Sequence, residues 1–217
     1  MKQDSSKPKR FWGVSHNVFF LGWVSFLTDV SSEMIFNVFP LFLSHVLGMG
    51  ALFIGLIEGL GDSVATILKV SSGWASDKLG QRKGLTTFGY ILSTAAKPFL
   101  FLATSGAAAL VIRFFERAGK GIRTSPRDAL IADSTTPGAM GRGFGFHRAM
   151  DTAGAVVGIA VAAAIVYFIQ GWELTLSLPT FHWLVIIGVI PAVISVLVII
   201  FFVHEARAPH PKERGMG

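Results

Sequence analysis

The sequence contains no cysteine, which excludes disulfide bonds, thiolate metal sites and thiol catalysis. It is also poor in charge, because Asp, Glu, Lys and Arg make up 15% of the residues, whereas an average soluble domain has about 25%. Hydrophobic residues reach 52%, and several apolar runs approach the roughly 20 residues that a helix needs to cross a bilayer. We therefore predict an all-α membrane protein in contact with the lipid bilayer.

Five apolar stretches are plain candidates for membrane spans. They cover residues 18–47, 52–76, 85–104, 144–169 and 183–203. A sixth stretch, 107–134, is long enough to cross, but it carries many charged residues. Each charge at a helix centre costs roughly 2.5–3.5 kcal/mol on insertion scales, so hydropathy alone would reject this stretch.

The distribution of basic residues decides whether the sixth stretch spans. If 107–134 crosses, one side holds the N-terminal tail (1–17), the loops after the second and fourth spans, and the C-terminal tail (205–217). The three loops on the other side contain no Lys or Arg. Because basic loop residues are retained in the cytoplasm, we predict six transmembrane helices within residues 18–204 of an inner-membrane protein, with both termini cytoplasmic. The formal charge of +6 then reflects topology, and no nucleic-acid partner is expected.

Ionisable residues inside the predicted spans are functional candidates by default, although ion pairs that hold helices together are the plain structural alternative. The cavity and proton-coupling candidates are Asp29, Glu33, Glu58, Asp62, Lys97, Arg113, Arg117 and Lys120. A carboxylate that is desolvated but close to a cation can load and release a proton. Asp29 and Glu33 are spaced i,i+4 near the middle of the first span, so they are the preferred proton carriers. Acids and bases nearly balance, and the charge of a solute is therefore not predicted.

The loop after the second span carries a specific motif, which reads G-W-A-S-D-K-L-G-Q-R-K from Gly73 to Lys83. It resembles the signature of the major facilitator superfamily, G-x-x-x-D-[RK]-x-G-[RQ]-[RK]-[RK], at every fixed position and in the expected loop. Gly73 would permit close helix approach and Gly80 a tight turn. With an acid at the inner end of the fourth helix, the predicted gating motif comprises Gly73, Asp77, Lys78, Gly80, Arg82, Lys83 and Asp133.

A second segment, from Arg113 to Gly121, is similar to the fourth-helix signature of the same family. The resemblance implies a proton-coupling role for Arg113. It also implies a charge network of Asp77, Arg82 and Asp133 that stabilises the outward-open state. The fifth span departs from the family's antiporter signature, because its Gly154 and Gly158 lack the expected Gly-Pro pair. These glycines are predicted to allow close helix packing instead.

The resemblance covers half of the family's usual twelve helices, arranged as two inverted three-helix repeats. It implies a secondary active transporter that moves a small solute by proton-coupled alternating access. The expected partner is a second six-helix half, either a copy of this chain or a separate chain, unless the chain is truncated or does not transport. The alternative function is a structural or assembly subunit of a larger membrane complex.

The chain shows no pattern typical of a metal or cofactor site. Its six His are scattered without ligand spacing, and Gly119-Lys-Gly121 lacks the glycine spacing and the following Ser or Thr of a phosphate loop. An intramembrane enzyme would need clustered carboxylates at the cytoplasmic surface, whereas the acid pairs here lie at mid-membrane. We therefore predict no enzymatic activity, no cofactor and no metal.

Overall fold

The computed structural model describes residues 10–206, apart from 172 and 174. Six long helices dominate it. They are α1 (His16–Phe36), α2 (Ala51–Leu79), α3 (Arg82–Ala96), α4 (Gly106–Asp133), α5 (Met140–Gln170) and α6 (Leu178–Phe202). By length and composition, five of the six helical segments could cross a membrane, and the charged helix α4 is not among them. Most of both predicted tails lies outside the described residues.

The first predicted span, 18–47, is not one continuous helix. α1 ends at Phe36, a single helical turn follows over Phe39–Leu41, and a π-helix covers Phe42–Val46. Pro40 accounts for the interruption, because it has no N–H to donate and it restricts the residue before it. The interrupted segment nevertheless continues in helical form almost to the predicted end.

Other helix boundaries also differ from the predicted spans. α3 passes into a 3₁₀-helix over Lys97–Leu102, where Pro98 removes a backbone donor. α6 begins at Leu178, five residues before the predicted span at 183, and Ser177 caps it by accepting a hydrogen bond from the N–H of Thr180. At the other end of the chain, α1 begins at His16, within the predicted tail.

A short β-hairpin precedes α1 and was not predicted. Its strands β1 (Arg10–Phe11) and β2 (Val14–Ser15) are antiparallel and pair Phe11 with Val14. Trp12 and Gly13 form the turn, and both have positive φ, as a type I′ hairpin turn requires. The Ser15 hydroxyl then caps α1 by accepting from the N–H of Val18.

Glycines bring the backbones of neighbouring helices into contact. α4 packs against α3 at a reciprocal crossing, where a Cβ on Gly119 would lie 2.6 Å from the carbonyl oxygen of Gly89. On its other side α4 meets α2, where a Cβ on Gly121 would lie 2.5 Å from the carbonyl oxygen of Ala65. α1 packs against both α5 and α6. The bundle therefore contains two tightly packed groups, α2–α3–α4 and α1–α5–α6.

α2 and α5 each use only a narrow edge for these contacts. α2 buries Ile57, Gly61, Ser72 and Ser76, and α5 buries mainly glycine and alanine with His147. Much of the remaining surface of α2 is apolar and exposed, with Leu52, Phe53, Leu56, Leu60, Ile67 and Val70. Both helices thus present wide apolar faces on either side of the cavity described next.

Candidate functional site

A polar cavity of about 360 Å³ lies between α1, α2, α4 and α5. Its carboxylates are Asp29, Glu33, Asp128 and Asp151. Its basic side chains are Lys69, Lys120, Arg123, Arg127 and Arg148. Such a concentration of charge inside an apolar bundle needs water or a polar ligand, because hydrocarbon cannot solvate it.

Several of these charges are already paired. Arg127 Nη2 lies 2.9 Å from Asp128 Oδ1, and Arg148 Nη1 lies 3.1 Å from Asp151 Oδ2. Arg123 is buried and turned toward α3, where its Nη1 donates to Ser93 Oγ at 2.5 Å and its guanidinium covers the ring of Tyr90. Lys69 and Lys120 make no ion pair with the described residues and remain exposed to the cavity.

The structure brings three of the eight predicted candidates to this cavity: Asp29, Glu33 and Lys120. Four others form a separate ion-pair cluster that joins α2 to α4. Arg113 Nη2 lies 2.6 Å from Glu58 Oε2, and Arg117 Nη2 lies 3.0 Å from Asp62 Oδ1.

Arg113 is the centre of that cluster and is 4% exposed. Its Nη1 also lies 2.8 Å from Glu116 Oε2, and its guanidinium lies 4.2 Å from the centre of the Phe36 ring. Glu116, which is 2% exposed, was not among the predicted candidates. These contacts are those expected of the structural alternative, in which internal ion pairs hold helices together.

Lys97, the eighth candidate, is not among the residues that line the polar cavity, and it is 1% exposed. Its Nζ donates to Ser31 Oγ at 2.5 Å and to Ser32 Oγ at 3.2 Å. No described carboxylate forms an ion pair with it. Lys97 therefore ties the end of α3 to the middle of α1 through two hydroxyl groups.

The predicted gating residues lie together at one end of the bundle. Arg82 Nε lies 2.5 Å from Asp133 Oδ2 at the end of α4, and Arg82 Nη1 lies 3.4 Å from Asp77 Oδ1 at the end of α2. Gly80 ends α2 with φ of 62°, a left-handed conformation that glycine adopts without strain. Gly73 lies against Ser125 of α4, where an added Cβ would lie 2.7 Å from Ser125 Oγ.

The two lysines of the motif lie apart from this network. Lys78 Nζ lies 4.9 Å from the centre of the Trp74 ring, a cation–π distance. Lys83 Nζ donates to the carbonyl oxygen of Ile200 on α6 at 3.0 Å. The motif therefore touches the ends of α2, α3, α4 and α6.

Glu205 is a functional candidate that sequence reasoning missed. Its Oε1 accepts from the N–H of Arg82 and its Oε2 from the N–H of Lys83, both at 2.9 Å. The carboxylate thus caps the start of α3, where backbone donors are otherwise unsatisfied and negative charge is favoured. No local signal could reveal this, because the partners are more than 120 residues apart.

Replacing Glu205 with Ala is expected to loosen the start of α3 by about 1 kcal/mol, the usual cost of losing a helix cap. Hydrogen–deuterium exchange should show faster exchange of the Arg82 and Lys83 amides. Glu173→Ala, which removes an exposed loop carboxylate, should leave those amides unchanged. Equal protection of both amides in wild type and Glu205→Ala would contradict the capping role.

Asp151 was also missed, because the span 144–169 around it is predominantly apolar. Ser25 of α1 donates its hydroxyl to Asp151 Oδ1, and Arg148 binds the other oxygen. Asp29, one helical turn after Ser25 on α1, lines the same cavity. The available signal was a single acid inside an apolar run. Its i,i+3 spacing from Arg148 indicates only an ion pair within one helix and does not reveal the partner on α1.

Known proteins match this chain along most of its length. A family model described as Major Facilitator Superfamily matches residues 21–217. An uncharacterised MFS-type transporter of Methanocaldococcus jannaschii is 39% identical over 196 residues, which cover 90% of this chain and 46% of that protein. The multidrug resistance protein MdtH of Photorhabdus laumondii subsp. laumondii is 30% identical over 136 residues, covering 61% and 34%.

Solved transporter structures share the fold at low sequence identity. The peptide transporter POT in complex with sulfate has a TM-score of 0.75 at 17% identity, covering 89% of this chain and 39% of that chain. A bacterial homologue of the human lysosomal transporter Spinster has a TM-score of 0.73 at 16% identity, covering 91% and 46%. The chain spans about half the length, or less, of the relatives it matches.

Proposed function

Since the chain belongs to the major facilitator superfamily and is an integral, multi-pass membrane protein, we propose that it moves a small solute by proton-coupled alternating access. The polar cavity between α1, α2, α4 and α5 is the proposed path. The observation that carries this proposal is that cavity, because it collects nine ionisable side chains from four helices. Intramembrane charges are costly and are retained where they serve a transport path.

The proposal includes six spans, with α4 as the fourth. The charged side of α4 faces α2 and the cavity, so that lipid meets its apolar residues, such as Val111 and Phe115, which are exposed. With this count, α1–α3 and α4–α6 form the two inverted repeats typical of the family. Both termini are then placed in the cytoplasm, and the basic loops agree with an inner-membrane orientation.

A second six-helix half is proposed to complete the transporter. α2 and α5 both contribute residues to the cavity and both carry exposed apolar faces, which a second half could cover. The greater length of the matching relatives supports this arrangement. The second half can be a copy of this chain, a separate chain or a continuation of the same polypeptide.

The Asp77–Arg82–Asp133 contacts are proposed to stabilise the outward-open state. Arg82 joins the ends of α2 and α4 at the proposed cytoplasmic side. These contacts would need to break for the cavity to open inward. Because Asp77 is 70% exposed, the link to Asp133 is expected to contribute more than the link to Asp77.

The test is proton movement coupled to solute entry in vesicles. Native mass measurement first defines the assembly that contains the chain, and that assembly is reconstituted with an imposed pH gradient. Sugars, amino acids, dipeptides, organic anions and organic cations are added in turn. A pH-sensitive dye inside the vesicles reports whether each class dissipates the pH gradient. We expect at least one class to dissipate the gradient with wild type and Glu173→Gln, but not with Asp29→Asn.

A structural or assembly role makes a different prediction. In that case no solute class dissipates the gradient, and the chain purifies in fixed ratio with an unrelated membrane complex. Dissipation that persists in Asp29→Asn would leave transport intact but remove this residue from proton coupling.

A further inference from the structure

Two carboxyl groups from different helices meet in the polar cavity. Asp29 on α1 and Asp151 on α5 line the same cavity, and Ser25, one helical turn before Asp29 on α1, donates its hydroxyl to Asp151 Oδ1. An ionised carboxylate offers only acceptor oxygens, so a hydrogen bond between two carboxyl groups needs a proton on one of them. Two ionised carboxylates in contact would also repel each other.

We infer that Asp29 and Asp151 form a paired-carboxyl site that binds one proton between α1 and α5. The claim that this pair is the coupling site of the transporter rests on the proposed function. The claim that the pair binds a proton does not. The pair differs from the predicted carriers, Asp29 with Glu33. Glu33 accepts a hydrogen bond from Asn37 Nδ2 at 2.8 Å instead.

The contacts of the two residues indicate which of them carries the proton. Asp151 accepts from the Ser25 hydroxyl on one oxygen and binds Arg148 at 3.1 Å on the other, so donors surround its ionised form. Asp29 has no ion pair with the described residues. The arrangement therefore makes Asp29 the proton donor and Asp151 the acceptor within the pair.

The charges facing the pair provide the means for proton release. They are Glu33 on α1, Lys69 on α2, Lys97 at the end of α3, Lys120, Arg123, Arg127 and Asp128 on α4, and His147 and Arg148 on α5. Lys97 is held by the hydroxyl groups of Ser31 and Ser32. Arg127 is committed to Asp128 and Arg123 to Ser93, whereas Lys69 and Lys120 make no ion pair with the described residues. These two lysines can compensate the second negative charge once the proton leaves.

Helix packing keeps the two carboxyl groups together. A Cβ on Gly158 of α5 would lie 2.6 Å from the carbonyl oxygen of Val30, and Gly154 lies against the carbonyl of Phe26. Both contacts flank Asp29 along α1, and the backbones there cannot separate without losing them. Solute or water entering the shared cavity, and not separation of α1 from α5, must therefore change the proton affinity.

The test uses infrared spectroscopy on the full chain in lipid nanodiscs. A protonated carboxyl group has a C=O stretching band that is absent from an ionised one and shifts in D₂O. Wild type is expected to show this band at neutral pH and to lose it in an alkaline titration. Asp29→Asn and Asp151→Asn should each lose the neutral-pH band, because either change leaves one carboxyl group with no like charge beside it.

Glu33→Gln is the matched control, since it removes a carboxyl group from the same cavity and should keep the band. Loss of the band in Asp29→Asn alone would show a single protonated acid and would overturn the shared site. Loss of the band in Glu33→Gln, or its absence in the wild type, would also overturn the shared site. A variant is considered folded when its size-exclusion elution and its melting temperature match those of the wild type. If an Asn variant does not fold, Ser25→Ala keeps both acids and should shift the band frequency, and an unchanged frequency would overturn the inference.

The infrared result and the vesicle result can fail separately. A missing band with intact proton-coupled transport would overturn the paired site and leave the proposed function standing. A band that behaves as expected, without any solute-dependent proton movement, would support the paired site and contradict the transport role.

Discussion

Replacing Arg113 with Met is expected to lower the free energy of unfolding by about 3–5 kcal/mol, the range measured when one partner of a buried ion pair is removed. Arg113 holds Glu58 at 2.6 Å and Glu116 at 2.8 Å. Without the guanidinium, Glu116 would remain 2% exposed with only a long 3.9 Å contact to Arg117. The loss is therefore set mainly by an uncompensated carboxylate and less by the lost attraction.

Denaturant or thermal unfolding in a fixed detergent would measure this loss. Arg113→Lys keeps the charge but cannot reach two carboxylates with a planar fork, so an intermediate loss is expected. Arg142→Met removes an exposed arginine that has no ion pair with the described residues, and it should change stability by less than about 0.5 kcal/mol. Equal stabilities of Arg113→Met and Arg142→Met would show that the cluster does not hold α2 to α4.

Gly119→Ala is expected to destabilise the protein by about 1–3 kcal/mol, the usual cost of overpacking. The new Cβ would lie 2.5 Å from the backbone nitrogen of Ser93 and 2.6 Å from the carbonyl oxygen of Gly89. Both neighbours are backbone atoms, so no side-chain rotation can relieve the contact. α3 and α4 would have to move apart.

Gly59→Ala on α2 is the matched control, because a Cβ added at Gly59 would have no described atom within 4 Å. There the substitution should stabilise the helix by about 0.5–1 kcal/mol, as alanine loses less conformational freedom than glycine. The two variants are thus expected to change the melting temperature in opposite directions. A shared direction would indicate that helix propensity, and not backbone contact, decides the effect at Gly119.

The long helices could be predicted because their signals lie either within one segment or in the distribution of charge over the whole chain. Apolar length identifies five of them, and the distribution of basic loop residues predicts that 107–134 is also a helix of the bundle. The break after Phe36 and the 3₁₀ segment at Lys97 were not predicted, although Pro40 and Pro98 mark them. Whether a proline bends, tightens or interrupts a helix depends on the neighbours that satisfy the freed backbone groups.

The site was less predictable, because spacing along one helix reveals only neighbours on that helix. The i,i+4 rule paired Asp29 with Glu33 and Glu58 with Asp62. In the structure Asp29 shares the cavity with Asp151 of α5, and Glu58 is paired with Arg113 of α4. These partners depend on which helix faces bury against each other, and in particular on the glycine contacts of α5 and α4. The Asp77–Arg82–Asp133 contacts were expected only through the family resemblance.

The two walls of the polar cavity carry opposite net charge. The α1–α5 wall contributes three acidic residues, one of them the proposed protonated Asp29, and one arginine, whereas the α2–α4 wall contributes four bases and one carboxylate. Opposite charges attract, so widening the cavity requires work against the attraction between its two walls. This work is larger when water is excluded, because the effective dielectric constant is then lower. An ion or a proton that neutralises the charge of one wall lowers that work. The electrostatic cost of opening the cavity therefore depends on what occupies it.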